Sequence, residues 1–471
     1  MAMSKFQVAG GRPGWADLPC DLLESVLGRL PVPDRLRFPA VCTAWQSAAA
    51  TDTAARLPNQ TVPSPWLMLP FNPTAHRRTK SSEDDAKLSE ARFLSLTEDG
   101  RTYAIRQPAP AVSDRLCVGS SDGWLITADD ASELQLLNPV TGAQVQLPSV
   151  TTLPYVDPSR DADGRVVSYS IRCCFADDGD EVMMMIPPET FAADRLRFEL
   201  YEKAILVSPP RWSGSWGGYA VLLICQPLFR LAVARAGDAE WTLLDTPARC
   251  WVDAVRAASA DEGTQRRVVY TMDTDGRVDA WDMDAARPAP SSWAIAPPCC
   301  CACTGRSCSM SAACRRYIVE LSPGRLLQVH RLRDAAHARY KWEPRPERVE
   351  YTTPKVELFE WTAGEGGRGQ WAPVDSGKIS NGVLAGRALF LGKSASLCVP
   401  VDDGGCCPAL KGNCVYFTDD GPWTHERCHE VAPDVGVLDL ADGTYRPPRG
   451  AVRDLLWKWP PPVWVFPSLA N

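Results

Sequence analysis

Apolar positions recur at helical spacing in one stretch of the chain, residues 16–50, and at strand-like spacing through most of the remaining residues. Leu18, Leu22, Leu23, Val26, Leu27 and Leu30 fall three or four apart, the repeat that places side chains on one helix face. Pro31 and Pro33 stop that helix. Asp34 can cap a short second helix carrying Leu36 and Phe38. Pro39, acceptable in a first turn, can open a third that presents Val41, Cys42, Trp45 and Ala49. The pattern thus predicts three short helices. A domain below about 40 residues usually needs a metal, disulfides or a partner, and an apolar stripe this wide on a unit this small therefore predicts a docking surface.

Residues 51–91 read as a linker and solvated loop: a polar, proline-punctuated stretch, an apolar island from Trp66 to Phe71, then a segment rich in charge and Ser. From Arg92 onward the pattern changes to short β-type runs separated by Gly and Asp turns. Residues 93–105 around Gly100 form the first such hairpin unit. Others span 134–147 around Gly142, 172–186 around Gly179, 231–244 around Gly237, 268–281 around Gly276, 356–371 around Gly367 and 437–446 around Gly443. Most steps between these glycines lie near one or two multiples of about 40 residues, the period of a four-stranded propeller blade. The expected architecture is a small all-α unit followed by a large all-β domain over 92–471, a β-propeller, with a β-sandwich pair as the alternative. Radial repetition is favoured because it removes exposed strand edges. The blade number stays open.

Composition narrows the function classes. The 471 residues carry 50 Lys and Arg against 57 Asp and Glu, a net charge of -7 with no local basic stripe, so nucleic acid is not an expected partner. Proline, at 41 residues, is well above average usage, which disfavours a helix-rich fold. The longest apolar run, Tyr219 to Cys225, is far too short to span a membrane. Residues 1–15 show no apolar core of secretory length, and Ala2 excludes myristoylation, so the expected address is nucleus or cytoplasm. The 18 cysteines are then expected to be reduced thiols and the sequon at Asn59 idle.

Candidate chemistry is sparse. Cys299, Cys300, Cys301, Cys303, Cys308 and Cys314, in a Cys- and Pro-rich segment near 285–316, invite a zinc reading. Three adjacent cysteines are not the two separated pairs a zinc site presents, and a surface loop is the expectation, with no metal. His425 and His429 lie four apart, but Gly421 and Pro422 precede them and strand patterns flank them. The acidic groups Asp129 and Asp130, Asp177, Asp178 and Asp180, and Asp402 and Asp403 sit beside turn glycines, where Asp favours turn geometry over catalysis. Trp281, Trp361 and Trp371 end strand-like runs and suit packing between blades. No phosphate loop, nucleophile elbow or zinc-protease motif occurs, so neither an enzyme nor a cofactor is called for.

The helical stretch carries more than periodicity. Trp15-Ala-Asp-Leu18-Pro19-Cys-Asp21-Leu22-Leu23, then Val26-Leu27-Gly-Arg29-Leu30-Pro31, Asp34-Arg-Leu36-Arg37-Phe38 and Val41-Cys42-Thr-Ala-Trp45 together resemble the F-box in order and spacing. The remainder resembles the kelch-like or propeller domain of unknown function in a large plant F-box family, the KIB type. The phrases that carry this are Pro65 to Pro70, Gly119 to Leu125, Leu137 to Gly142, Leu389 to Gly392, Leu410 to Asp419 and Pro460 to Val465. The resemblance implies a non-catalytic, substrate-recruiting subunit of a Skp-cullin-F-box ubiquitin ligase. An F-box over 14–50 would bind a Skp-type adaptor, and through it cullin, while the β domain selects a target protein of unknown identity. It also implies that Leu18, Pro19, Leu22, Leu23, Val26, Leu27, Leu30, Val41, Cys42 and Trp45 face either the adaptor or the small F-box core. Pro39 departs from the family pattern and is expected to force Phe38 into extended geometry. Two rivals remain: a relic F-box on a protein that sequesters or scaffolds a partner, and a hydrolase-like or sugar-binding propeller with a funnel of converging carboxylates.

Overall fold

In the computed structural model the chain divides into two units, residues 1–63 and 64–470. It describes residues 14–52 apart from 31, and 64–468 apart from 70–89, 99, 173, 176–183, 186, 227–228, 247–248, 258–266, 286–287, 293–313, 337–348, 363–369, 376–381, 402–409, 421–430, 433 and 449–461.

The first unit begins with a 3-10 turn, Trp15–Asp17, followed by helices α1 (Cys20–Arg29), α2 (Val32–Arg37) and α3 (Thr43–Asp52). Helix α1 starts after Leu18 because the Pro19 carbonyl accepts from the amides of both Leu22 and Leu23, making Pro19 its boundary. Helix α2 starts earlier than expected. Pro33 is accommodated in its first turn, so Asp34 lies inside the helix and pairs with Arg37 at 3.1 Å rather than capping. The Arg35 guanidinium donates to the Gly28 and Leu30 carbonyls at 2.8 Å each, supplying donors that the end of α1 lacks. Phe38–Ala40 forms a 3-10 turn with Pro39 in its first positions, so Phe38 is not extended. Burial decides this, because the turn packs the Phe38 ring 4.3 Å from that of Trp45. Val41 and Cys42 precede the third helix instead of belonging to it.

In the second unit, six sheets of four or five strands form among the described residues. The first sheet runs Thr102–Arg106, Glu90–Ser95, Trp66–Met68, Val463–Val465; the second pairs Leu116–Ser121, Trp124–Ala128, Leu134–Leu137 and Gln144–Gln146. The third opens with Tyr201–Ser208, the fourth with Trp251–Arg256 and the fifth with Cys314–Ser322. The sixth has Leu397–Pro400 at its edge beside Arg387–Leu391. These edge strands lie side by side in order, Val463–Val465 beside Leu116–Ser121 and so on to Leu397–Pro400. The sixth and first sheets then share one apolar cluster, which joins Phe390 and Tyr416 to Leu67 and Trp464. The result is a closed ring of sheets, a β-propeller; radial closure rather than a sandwich pair organises the strands.

Alternation along each strand glues the ring. Ile205 and Leu222 point into a cluster shared with the fourth sheet, whereas Leu206, Val221 and Leu223 point into one shared with the second. Both faces are buried, so Ala220–Cys225, within the longest apolar run of the chain, is a strand interior to the ring. Trp281 fills the junction of the third and fourth sheets, and Trp371, with Trp361 edge-on at 5.3 Å, that of the fourth and fifth.

All seven expected hairpins are antiparallel pairs. Gly142 and Gly443 take φ of 74° and 72°, the left-handed region that glycine enters without penalty. The pair flanking Gly179 is not part of a blade. It falls in an insertion between the second and third sheets, with the three-stranded sheet Val156–Arg160, Val166–Ile171, Glu189–Ala192 and helix α4 (Ala193–Leu200). Tyr169, Ile171, Leu196 and Leu200 anchor that insertion on the core of those two sheets. The β unit also begins earlier than residue 92, because Trp66–Met68, expected to lie in a linker, is a buried strand between Glu90–Ser95 and Val463–Val465.

Trp464 is fully buried where the sixth sheet meets the first. Trp464→Ala should cost about 3–5 kcal/mol of β-unit stability in a denaturant titration. A loss below about 1 kcal/mol would show that this junction does not hold the ring.

Candidate functional site

Two places concentrate side chains beyond what packing requires: the surface of the N-terminal unit and the axis of the ring. In the N-terminal unit Leu23 and Leu27 are buried with Phe38 and Ala48, and Leu18, Val26, Leu30 and Trp45 pack against them part-buried. Cys42 is half-buried. Pro19, Leu22 and Val41 are exposed, Leu22 by 49% and Val41 by 58%. The ten residues singled out by resemblance therefore separate into an interior set and a surface set, a division that periodicity could not make. The structure adds Trp15, exposed by 74%, which stands at the head of the motif but outside the ten. Its signal was a tryptophan standing three residues before the Leu18-Pro19 pair. Of six large hydrophobic side chains exposed among the described residues, three, Trp15, Leu22 and Val41, belong to this small unit.

At the ring axis the segment Gly392–Ser396 touches the first strands of three successive sheets. Ala395 N–H donates to the Ser120 carbonyl at 2.8 Å, Lys203 Nζ to the Gly392 carbonyl at 2.9 Å, and Ser396 Oγ to Asp253 Oδ2 at 3.1 Å. Lys393 Nζ bonds the Glu202 carbonyl. Contact with the second, third and fourth sheets at once is open only to a segment in the middle of the ring, so this stretch crosses the axis as a short plug.

Charges surround this plug. Lys203 Nζ lies 2.6 Å from Asp253, both buried. Burial outweighs the ammonium's attraction and keeps the Asp253 carboxyl above the usual carboxylate range. Burial also opposes charge on Asp420, but Arg315, Arg331, Lys393 and Lys203 together overturn it and hold that carboxyl low. Arg331, fully buried, donates to Asp434 Oδ2 at 2.7 Å, Thr353 at 2.7 Å and Tyr317 at 3.2 Å. Carboxylates do converge on the axis, yet Asp253, Asp420, Asp434 and Asp419 each face a cation at 2.6 to 3.9 Å. Such an arrangement neutralises charge instead of presenting it to a substrate.

Among the described residues the remaining sequence candidates carry no assembled site. Asp129 accepts from the amides of Ala131 and Glu133, the turn role expected of it. Burial pushes the free thiols Cys117 and Cys225 up to about 12. Cys314 begins a strand of the fifth sheet. Cys299 to Cys308, His425, His429, Asp177, Asp178, Asp180, Asp402 and Asp403 lie outside the described residues. Among the described residues no helix is long and apolar enough to cross a membrane, and no group of three ligating side chains could hold a metal ion.

His330 sits buried on the long second strand of the fifth sheet, beside Gln328 Oε1 at 3.3 Å and the Phe359 ring at 4.7 Å. Burial first, and the nearby Arg316 second, push its imidazole down to about 3. The unfolded chain therefore binds this proton more readily between about pH 6.5 and 3, so stability is present above that window and falls as pH drops through it. By pH 5 the loss from this one residue should reach about 2 kcal/mol. Unfolding titrations from pH 7 to 5 should show a flatter pH dependence in His330→Gln than in the wild type, and equal slopes would contradict the assignment.

Comparison with known proteins gives two matches along the chain. The family described as KIB1-4 beta-propeller matches residues 93–439, and the F-box domain matches residues 15–53. Similar proteins from Arabidopsis thaliana include the putative F-box protein At4g22660, 27% identical over 139 residues, 29% of this chain and 31% of that one. The F-box/kelch-repeat protein At1g57790 is 31% identical over 147 residues, 31% of this chain and 36% of that one. The F-box protein KIB2 is 28% identical over 128 residues, 27% of this chain and 26% of that one. The matched stretches span about a third or less of the length of these relatives.

Proposed function

The chain belongs to the KIB1-4 beta-propeller family and carries an F-box domain, and from that premise we propose that it is the target-recruiting subunit of a Skp-cullin-F-box ubiquitin ligase. The observation that supports this best is the surface of the N-terminal unit. Trp15, Pro19, Leu22 and Val41 stay in water within the residues matched by the F-box, above a core of a few side chains. So small a unit gains most by burying that surface against a partner, and a Skp-type adaptor is the partner its motif fits.

The propeller supplies the other half of the function. Gly392–Ser396 crosses its axis, and a target protein would be recognised on the faces and loops of the ring. No step of chemistry is assigned to this chain. Its contribution is proximity: a target held beside the ubiquitin-loaded enzyme reacts at high effective concentration, and a stiff ring preserves that geometry. The compartment this implies is nucleus or cytoplasm, where the adaptor and cullin would be met.

The two residue sets give the test. Replacing Leu22 and Val41 with Asp should abolish capture of a Skp-type adaptor, and of cullin with it, while the helical circular dichroism signal is retained. Leu23→Ala should also reduce capture, but by loosening the unit, at about 2–5 kcal/mol. Undiminished capture by the Leu22/Val41 double variant would overturn the reading. Capture of adaptor without cullin would assign the chain to sequestering a partner instead.

A further inference from the structure

We propose that Trp15 is the principal anchor of adaptor docking and that Trp45 is the positioning residue that holds it. This rests on the adaptor reading above and extends it to a residue pair that motif resemblance did not separate.

Trp15 combines a fixed backbone with a free side chain. Its 3-10 turn is closed by Asp17 N–H donating to the Gly14 carbonyl at 3.0 Å and by Gly14 N–H donating to Asp17 Oδ2 at 2.9 Å. From the interior side, Trp45 Nε1 donates to the Trp15 carbonyl at 3.0 Å. The Trp45 ring is itself held against Phe38, which is buried in the unit's core. The chain of support therefore runs from the core through Phe38 and Trp45 to the backbone of Trp15. The Trp15 indole meanwhile is the most exposed large hydrophobic side chain among the described residues.

Two physical arguments turn this geometry into a role. Tryptophan leads the residues whose truncation costs most at protein interfaces, because it buries a large flat area at the expense of two torsions. A backbone already clamped loses little further freedom on binding, so more of that burial appears as affinity. Trp45 has spent its ring on Phe38 and its N–H on Trp15, leaving it little to offer a partner directly. It acts through the tryptophan it holds.

The experiment measures adaptor affinity of the full chain by calorimetry, for the wild type, Trp15→Ala, Trp45→Phe and the double variant. Trp15→Ala should weaken binding about 30-fold or more. Trp45→Phe, which keeps a ring against Phe38 and removes only the N–H, should weaken it about 3- to 10-fold. In the Trp15→Ala background Trp45→Phe should add nothing, the non-additivity expected of a residue acting through another. Full additivity would overturn the positioning role. Binding by Trp15→Ala within about threefold of wild type would overturn the anchor role while leaving the adaptor reading intact, and no binding by the wild type would remove both. Should Trp15→Ala lower the melting temperature, oxidative footprinting of the unaltered chain decides: Trp15 must become protected when adaptor is added, and unchanged oxidation overturns the proposal.

Discussion

One antiparallel pairing between distant parts of the chain closes the ring on which the rest of the β unit depends: Trp66–Met68 against Val463–Val465. Without it the first sheet would expose an open strand edge and the sixth would lose the apolar cover supplied by Leu67 and Trp464. The returning segment is held beyond the strand as well. Ser468 Oγ donates to the Asp122 carbonyl at 2.8 Å and Asn138 Nδ2 to the Ser468 carbonyl at 3.1 Å. A side chain at position 123 would collide with it, since a Cβ on Gly123 would lie 2.1 Å from Ser468 Oγ. Two of the phrases shared with the plant family, Gly119 to Leu125 and Leu137 to Gly142, thus build the receptacle for the end of the ring. Bringing such remote segments together costs loop entropy, which the buried tryptophans at the junction help to offset.

The two units solve the problem of burial in opposite ways. The propeller is self-sufficient: its strands bury both faces between neighbouring sheets, and near its axis the Lys203–Asp253 ion pair bonds the Gly392–Ser396 segment of the same chain. Buried ion pairs of this kind contribute little net stability, but breaking one partner leaves a stranded charge, so they favour a single arrangement of strands around the axis. The N-terminal unit closes a minimal core and leaves apolar side chains in water. Rigidity in one and incompleteness in the other are what a subunit needs if it is to hold a target at fixed geometry and dock through a partner.

Much of this was legible in the residues. The three helices, the hairpins with their turn glycines, and the F-box motif all rest on local patterns, and local patterns are what a single sequence displays. The misses have non-local causes. Trp66–Met68 is a three-residue run next to prolines, and pairing on both sides, with Glu90–Ser95 and with Val463–Val465 some 400 residues away, makes it a strand. Gly392–Ser396, small and polar, reads as an ordinary turn; its place at the axis depends on three sheets that the sequence cannot arrange. The hairpin around Gly179 matched the local pattern yet belongs to an insertion, because periodicity does not distinguish a blade from a decoration on one. Phe38 obeyed the burial of its ring over the restriction imposed by Pro39. The division of the F-box stripe into Leu23 and Leu27 inside and Leu22 and Val41 outside follows from how α1 and α3 pack, which periodicity alone leaves undecided.

If the N-terminal unit is a docking surface for a Skp-type adaptor and the propeller is left free for another partner, adaptor should touch one and not the other. Amide hydrogen exchange of the full chain, read by mass spectrometry with and without adaptor, distinguishes them. Exchange should slow across residues 15–45 and stay unchanged across 64–468. Protection in the propeller with none in residues 15–45 would contradict the docking role of the N-terminal unit.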